Sequence, residues 1–185
     1  VSKALDYKVY IYMTLSSSYG GNAVSDMAID PNGNIHIVFL DQEDGQLRYL
    51  NYEAASESWG SPEVIFGDDY NGVIVDPNIV CDSSGNLHLA YTDHDQNIYR
   101  TTVYYSYRAA TDTSWSATPE TIDVLDDGNN GTSGSALTLD TNGNPFIAYF
   151  GKYPWYGDYD PLPPYFGAIK YATRTRNPDD TWSSW

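Results

Sequence analysis

The sequence predicts an all-β chain built from three copies of one four-stranded antiparallel meander, and three observations carry that prediction. A turn of the form Asp-x-x-Gly-Asn recurs at Asp30, Asp82 and Asp140. Each turn follows a short apolar strand and precedes an alternating one, which ends in an aromatic nine positions after the aspartate, at Phe39, Tyr91 and Tyr149. A second block then recurs as Leu47-Arg48-Tyr49, Val103-Tyr104-Tyr105 and Ile169-Lys170-Tyr171, with a tryptophan ten, ten and eleven positions after its last tyrosine, at Trp59, Trp115 and Trp182.

Each copy therefore supplies strands A, B, C and D. The A–B connection is a tight hairpin, because glycine accepts the positive φ of such a turn and Asp and Asn satisfy local backbone groups. Strand D is led by proline in the first two copies, as Pro62-Glu63-Val64-Ile65 and Pro119-Glu120-Thr121-Ile122. Copies are spaced 52 and 58 residues apart from aspartate to aspartate. Radial repetition of four-stranded sheets at this period is the mark of a β-propeller. The expected blades span about 25–66, 77–124 and 135–185 within a single partial domain, 1–185. The third copy reaches Trp185 before any strand D. An alternating strand at 7–13, opening Tyr7-Lys8-Val9-Tyr10, is expected to supply that strand, unless a partner does. Propellers hold roughly four to eight blades. The chain is accordingly expected to be a fragment of a larger ring or to self-associate, two chains making six blades.

Composition narrows the function classes. Apolar residues make up 41%, enough for a core, and the 18 tyrosines suit a half-buried pleated surface. The net charge of −16 argues against nucleic acid and against anionic membrane surfaces, both of which require clustered Lys and Arg. No apolar run approaches the roughly 20 residues that span a bilayer. Cys81, the sole cysteine, lies in an apolar run and reads as a small core residue. The chain opens Val1-Ser2-Lys3-Ala4, without an initiator Met or a signal-peptide core, which points to processing or to excision from something longer. Asn130-Gly131-Thr132 is a glycosylation sequon, meaningful in a secretory setting.

Strand order puts the B–C and D–A connections on one rim and the A–B and C–D connections on the other. Variable loops on a rigid scaffold usually carry binding, so the first rim is the expected functional face. It collects Asp41, Glu43 and Asp44; Asp93, His94 and Asp95; Asp68 and Asp69; and Asp126 and Asp127. It also carries an insertion at 151–167 with Tyr153, Trp155, Tyr156, Tyr159, Tyr165 and Phe166. Tyr153, Trp155, Tyr156 and Tyr159 would stack on sugar rings, with Asp93, His94 and Asp95 accepting or donating hydrogen bonds to hydroxyls. The bland alternatives are solvated loop charge and a loop packed on itself. Asp30-x-Asn32-x-Asn34 and Asp140-x-Asn142-x-Asn144 resemble the start of a calcium loop. Glycine stands at the fourth position rather than the sixth and no glutamate follows at the twelfth, so a hydrogen-bonded hairpin turn is preferred, and no cofactor is expected, with calcium as the alternative. His36 and His88 occupy a strand position that holds Phe146 in the third copy, and so read as packing residues. His94, beside two aspartates, is the better ligand or acid–base candidate.

The repeats resemble the blades of sialidase-type and lectin propellers, whose Asp-Gly turns punctuate each blade, and the resemblance covers nearly the whole chain. It lies in architecture. The Asp-box of that family, Ser-x-Asp-x-Gly-x-x-Trp, is replaced here by Asp-x-x-Gly-Asn without the tryptophan. Sialidases hold a carboxylate with three arginines, whereas Arg48, Arg100, Arg108, Arg174 and Arg176 fall on or beside predicted C strands in no arginine motif. The resemblance therefore implies an extracellular or cell-surface propeller that contacts carbohydrate or protein, without sialidase activity. Two functions follow. One is a non-catalytic binding or structural module. The other is a polysaccharide hydrolase or lyase using paired carboxylates among Asp93, Asp95, Asp126 and Asp127.

Overall fold

The computed structural model describes residues 24–41, 44–67, 72–95, 100–126, 134–152, 167–177 and 182–185. They form twelve strands in three antiparallel sheets. Sheet I contains β1 (Ser25–Ile29), β2 (Ile35–Asp41), β3 (Gln46–Glu53), β4 (Ser58–Trp59) and β5 (Glu63–Phe66). Sheet II contains β6 (Gly72–Cys81), β7 (Leu87–Asp95), β8 (Arg100–Arg108) and β9 (Glu120–Asp126). Sheet III contains β10 (Ser135–Leu139), β11 (Pro145–Lys152) and β12 (Gly167–Thr173). β4 and β5 both pair with β3 and together form the fourth strand of sheet I, interrupted at Gly60-Ser61-Pro62. Proline there could not donate to the ladder. The expected strand at 7–13 lies outside the described residues.

Sheet II begins at Gly72, five residues before the expected boundary, because β6 continues through a bulge between Val75 and Asn78. Asp76 sits at φ 46 there, ahead of Pro77.

The A–B turns are more tightly specified than their glycines alone require. Gly33, Gly85 and Gly143 take φ of 85, 85 and 79°. In the first turn, Asp30 Oδ1 accepts the amides of Asn32 and Asn34, and Oδ2 accepts the Asn34 side chain, each at 2.8 Å. Asp82 and Asp140 repeat the pattern. The asparagine then reaches past the hairpin: Asn34 Oδ1 accepts the Ala54 amide at 2.9 Å, Asn86 the Ala110 amide at 2.9 Å, and Asn144 the Arg176 amide at 3.0 Å. Each Asp–Asn pair thus clips the turn to the chain leaving the third strand. The carboxylate oxygens that a calcium ion would need are engaged in this clip.

The sheets stack face to face. Side chains alternate across a strand, and both faces of sheet II are buried. Leu87, Leu89 and Tyr91 of β7 join Val38, Leu40, Leu47 and Tyr49 of sheet I in one core. Ala90 of β7, with Val103, Tyr105 and Leu125, joins Ile147 and Tyr149 of sheet III in a second. Cys81 packs, partly buried, against the first core. The first strands of the three sheets lie side by side, β1 beside β6 and β6 beside β10. Asp26 of β1 accepts the Ile79 amide at 2.9 Å, and Asn78 of β6 donates to the Ser135 carbonyl at 2.7 Å.

Candidate binding site at the junctions between sheets

The same polar cluster is built at both junctions. At the first, Tyr49 on β3 and His36 on β2 project toward sheet II. His36 Nδ1 lies 2.7 Å from the Tyr49 hydroxyl, and His36 Nε2 lies 3.6 Å from Asp30 Oδ2. Sheet II adds Arg108, whose guanidinium lies 5.0 Å over the Tyr49 ring and 3.6 Å from Glu63 of β5. Trp115 packs edge-on to Tyr49 at 5.5 Å, and its amide donates to Glu63 at 3.0 Å.

At the second junction each part recurs one repeat later. His88 Nδ1 is 2.7 Å from the Tyr105 hydroxyl, and Nε2 is 3.7 Å from Asp82. Placing the histidine proton on Nε2, toward the carboxylate, leaves Nδ1 to accept the tyrosine O–H. Arg174 of sheet III donates to Glu120 at 2.6 Å. Its guanidinium lies 4.6 Å over each of the rings of Tyr105, Trp182 and Trp185. Arg174 is only 4% exposed, and among the described residues its Nε and Nη2 have no hydrogen-bond partner. The three rings meet those N–H groups instead, through cation–π and N–H···π contact.

Burial sets the titration of these groups. It pushes His88 down to about 4 and lowers His36, against the raising pull of Asp82 and Asp30. Both rings are therefore neutral at pH 7. Burial also pushes the Tyr49 hydroxyl up to about 12 and raises Tyr105. For Asp30 and Asp82 burial works upward, but the hydrogen bonds from Asn34 and Asn86 outweigh it and hold both carboxyls below the usual range.

Beside the second cluster the sheets leave a cleft of about 160 Å³, lined by Tyr107, Ser116, Thr118, Glu120, Arg174 and Trp182 among others. Rings, hydroxyls and an ion-paired carboxylate line one concave space. That is a surface for a polar molecule with apolar faces.

The residues expected from sequence stand elsewhere. Asp93, His94 and Asp95 are not in a loop but complete β7, paired on both sides: Asp93 faces Thr102, His94 faces Thr101 and Asp95 faces Arg100. Continued pairing with β6 and β8 overrides their loop-like composition. Asp93 is 7% exposed, and His94 Nδ1 lies 3.0 Å from Thr101 Oγ1. Asp126 is the last residue of β9 rather than part of the following loop, and it too is paired in register with Arg100. Asp127, Tyr153, Trp155, Tyr156 and Tyr159 lie outside the described residues. Elsewhere on this rim Arg48 bridges Asp41 and Asp44, and Lys170 pairs with Asp123 at 2.9 Å. Among the described residues no group of three His, Cys, Asp or Glu side chains is placed to hold a metal ion. The cleft opens at the opposite end of the sheets, beside the C–D connection.

Sequence reading missed Arg108, Arg174, Glu63 and Glu120. Their signal was present in the repeats. An arginine stands three positions after the recurrent tyrosine in copies two and three, and each Pro-Glu opens a fourth strand.

No protein-family model matches the chain, and no curated protein matches it. Among solved structures it is similar to an endo-arabinase from Bacteroides thetaiotaomicron, with 18% identity and a TM-score of 0.46 over 78% of this chain and 54% of the arabinase. The chain thus spans about half the length of that structure. A likeness this distant brings neither substrate nor chemistry to this chain.

Proposed function

We propose that the three sheets are blades of a β-propeller and that the chain is a non-catalytic module, extracellular or cell-surface, that binds carbohydrate. The blade reading is supported by the side-by-side first strands and by the repetition of one junction cluster at one repeat period. The observation that carries the binding reading is the cleft between sheets II and III. Trp182 and Tyr107 offer ring surface there, and Ser116, Thr118 and Glu120 offer groups for sugar hydroxyls. The aromatic insertion carrying Tyr153, Trp155, Tyr156 and Tyr159 would add a second contact at the other rim.

A glycan array followed by calorimetry on the retained glycans tests this, with a reducing-sugar assay run in parallel. The expected result is retention of at least one glycan class, no sugar release, and loss of binding in Ser116→Trp. That variant fills the cleft from an exposed position and spares the core. A blank array overturns the reading. Sugar release that disappears in Asp93→Asn would replace it with hydrolysis by the carboxylates of the acidic rim.

A further inference from the structure

Two charged side chains line the cleft between sheets II and III among the described residues, and they meet it in opposite ways. Arg174 is withdrawn. Its Nε and Nη2 are closed to solvent, its guanidinium lies 4.6 Å over the rings of Tyr105, Trp182 and Trp185, and its Nη1 is spent on Glu120. Glu120 is presented, with its side chain 46% exposed. Arg174 Nη1 and Trp185 Nε1 both donate to Oε2, at 2.6 and 3.1 Å. Two donors on one oxygen fix the carboxylate, and among the described residues Oε1 accepts no hydrogen bond. Ser116 Oγ spends its proton on the Thr118 carbonyl at 3.0 Å and so meets the cleft as a second acceptor.

A ligand for this lining must donate. An acidic sugar would set a second anion beside Glu120 in a half-enclosed space, where like charges repel strongly. The net charge of −16 on the whole chain adds to that repulsion. An amino sugar would gain Glu120 but meet Arg174, which already offsets that carboxylate and already engages the ring faces that would hold another cation. A neutral polyol donates without either conflict. Size sets a further limit. The cleft, at about 160 Å³, is smaller than the roughly 300–1,000 Å³ of sites for drug-sized ligands, and suits one sugar ring against Tyr107 and Trp182.

Resting on the carbohydrate reading above, we infer that the cleft takes a single neutral sugar residue whose hydroxyls donate to Glu120 and Ser116, and that Glu120 is the specificity-determining residue that excludes acidic sugars. The arginine behind it acts on position rather than on the ligand: it holds the carboxylate in place and cancels its pull on cations.

Array glycans identical except at the end residue test this on the unaltered chain: glucose against glucuronate, galactose against galacturonate, and glucosamine as the cationic member. The glycans scored are those whose retention is lost in Ser116→Trp. The uronate-ended member of each pair should bind about tenfold more weakly or worse, and glucosamine no tighter than glucose. The gap should narrow between about 0.1 and 1 M salt, where the screening length falls from about 10 to 3 Å. Glu120→Gln, with its fold checked by circular dichroism, keeps an acceptor and drops the charge, so it should shrink the gap severalfold; the salt series reads the same repulsion with no substitution. Uronate- or amine-ended glycans held as tightly as their neutral partners, or a gap that salt leaves unchanged, overturns the selectivity and leaves carbohydrate binding standing. A blank array, or retention that survives Ser116→Trp throughout, overturns both.

Discussion

The two internal junctions use one set of parts and finish them differently. At the junction of sheets I and II, Arg108 reaches Glu63 only at 3.6 Å and lies over a single ring. Trp115, 6% exposed, fills the remaining space. At the junction of sheets II and III, Arg174 bonds Glu120 at 2.6 Å and is enclosed by three rings, with an open cleft beside it. A repeat can therefore keep its pairing logic while its arginine is held differently in successive copies. The second junction holds its arginine more tightly and so can support a cavity.

The comparison breaks most visibly at the arginines. Arg174→Ala removes a buried cation from three rings and a carboxylate, and should lower unfolding free energy by about 3 kcal/mol. Arg108→Ala should cost about 1 kcal/mol, since its partner is more distant and its side chain more hydrated. Urea denaturation of the two variants reads the difference, and equal losses would mean that the junctions are energetically alike.

Acid should separate the histidines. The unfolded chain binds a proton near pH 6.5, while buried His88 binds one only near 4. Stability is thus intact above the unfolded value and is lost as pH falls from about 6.5 to 4, by about 3 kcal/mol from this residue. His88→Phe, the residue that the third copy carries, should flatten that part of the pH profile more than His36→Phe. Identical slopes would show that the two rings are equally hydrated.

The clips should give a smaller and more uniform effect. Asn86→Ala and Asn34→Ala each remove a bond to the third strand's exit and should cost about 1–2 kcal/mol. Asn86, 6% exposed, should lie at the upper end of that range. Smallest of all, Ser116→Trp should leave stability within about 0.5 kcal/mol, as expected for an exposed position, while abolishing glycan binding.

The sheets were legible because turn chemistry and strand alternation are local. Asp30, Gly33 and Asn34 announce a hairpin within five residues, and Phe39 marks the end of its second strand. The clip was half legible: the need for Asp and Gly could be read, but not that Asn34 would reach Ala54. The rim was misread where charge looked like loop. Asp93-His94-Asp95 has poor strand propensity, yet flanking strands pair with all three, and Arg100 comes opposite Asp95. The junction cluster was hidden for another reason. Arg174 and Glu120 are 54 residues apart, and only stacking of successive sheets brings them together. Reading His36 and His88 as packing residues caught their burial but not their bond to a tyrosine.

The asparagine clip has a consequence for how such a chain can lengthen. Because each unit locks three of its own strands in register through a turn aspartate and one long-reaching amide, alignment within a unit does not depend on its neighbours. Units of this kind can be duplicated or lost by whole repeats without any strand slipping, and what must be renegotiated each time is only the handful of side chains where one unit meets the next.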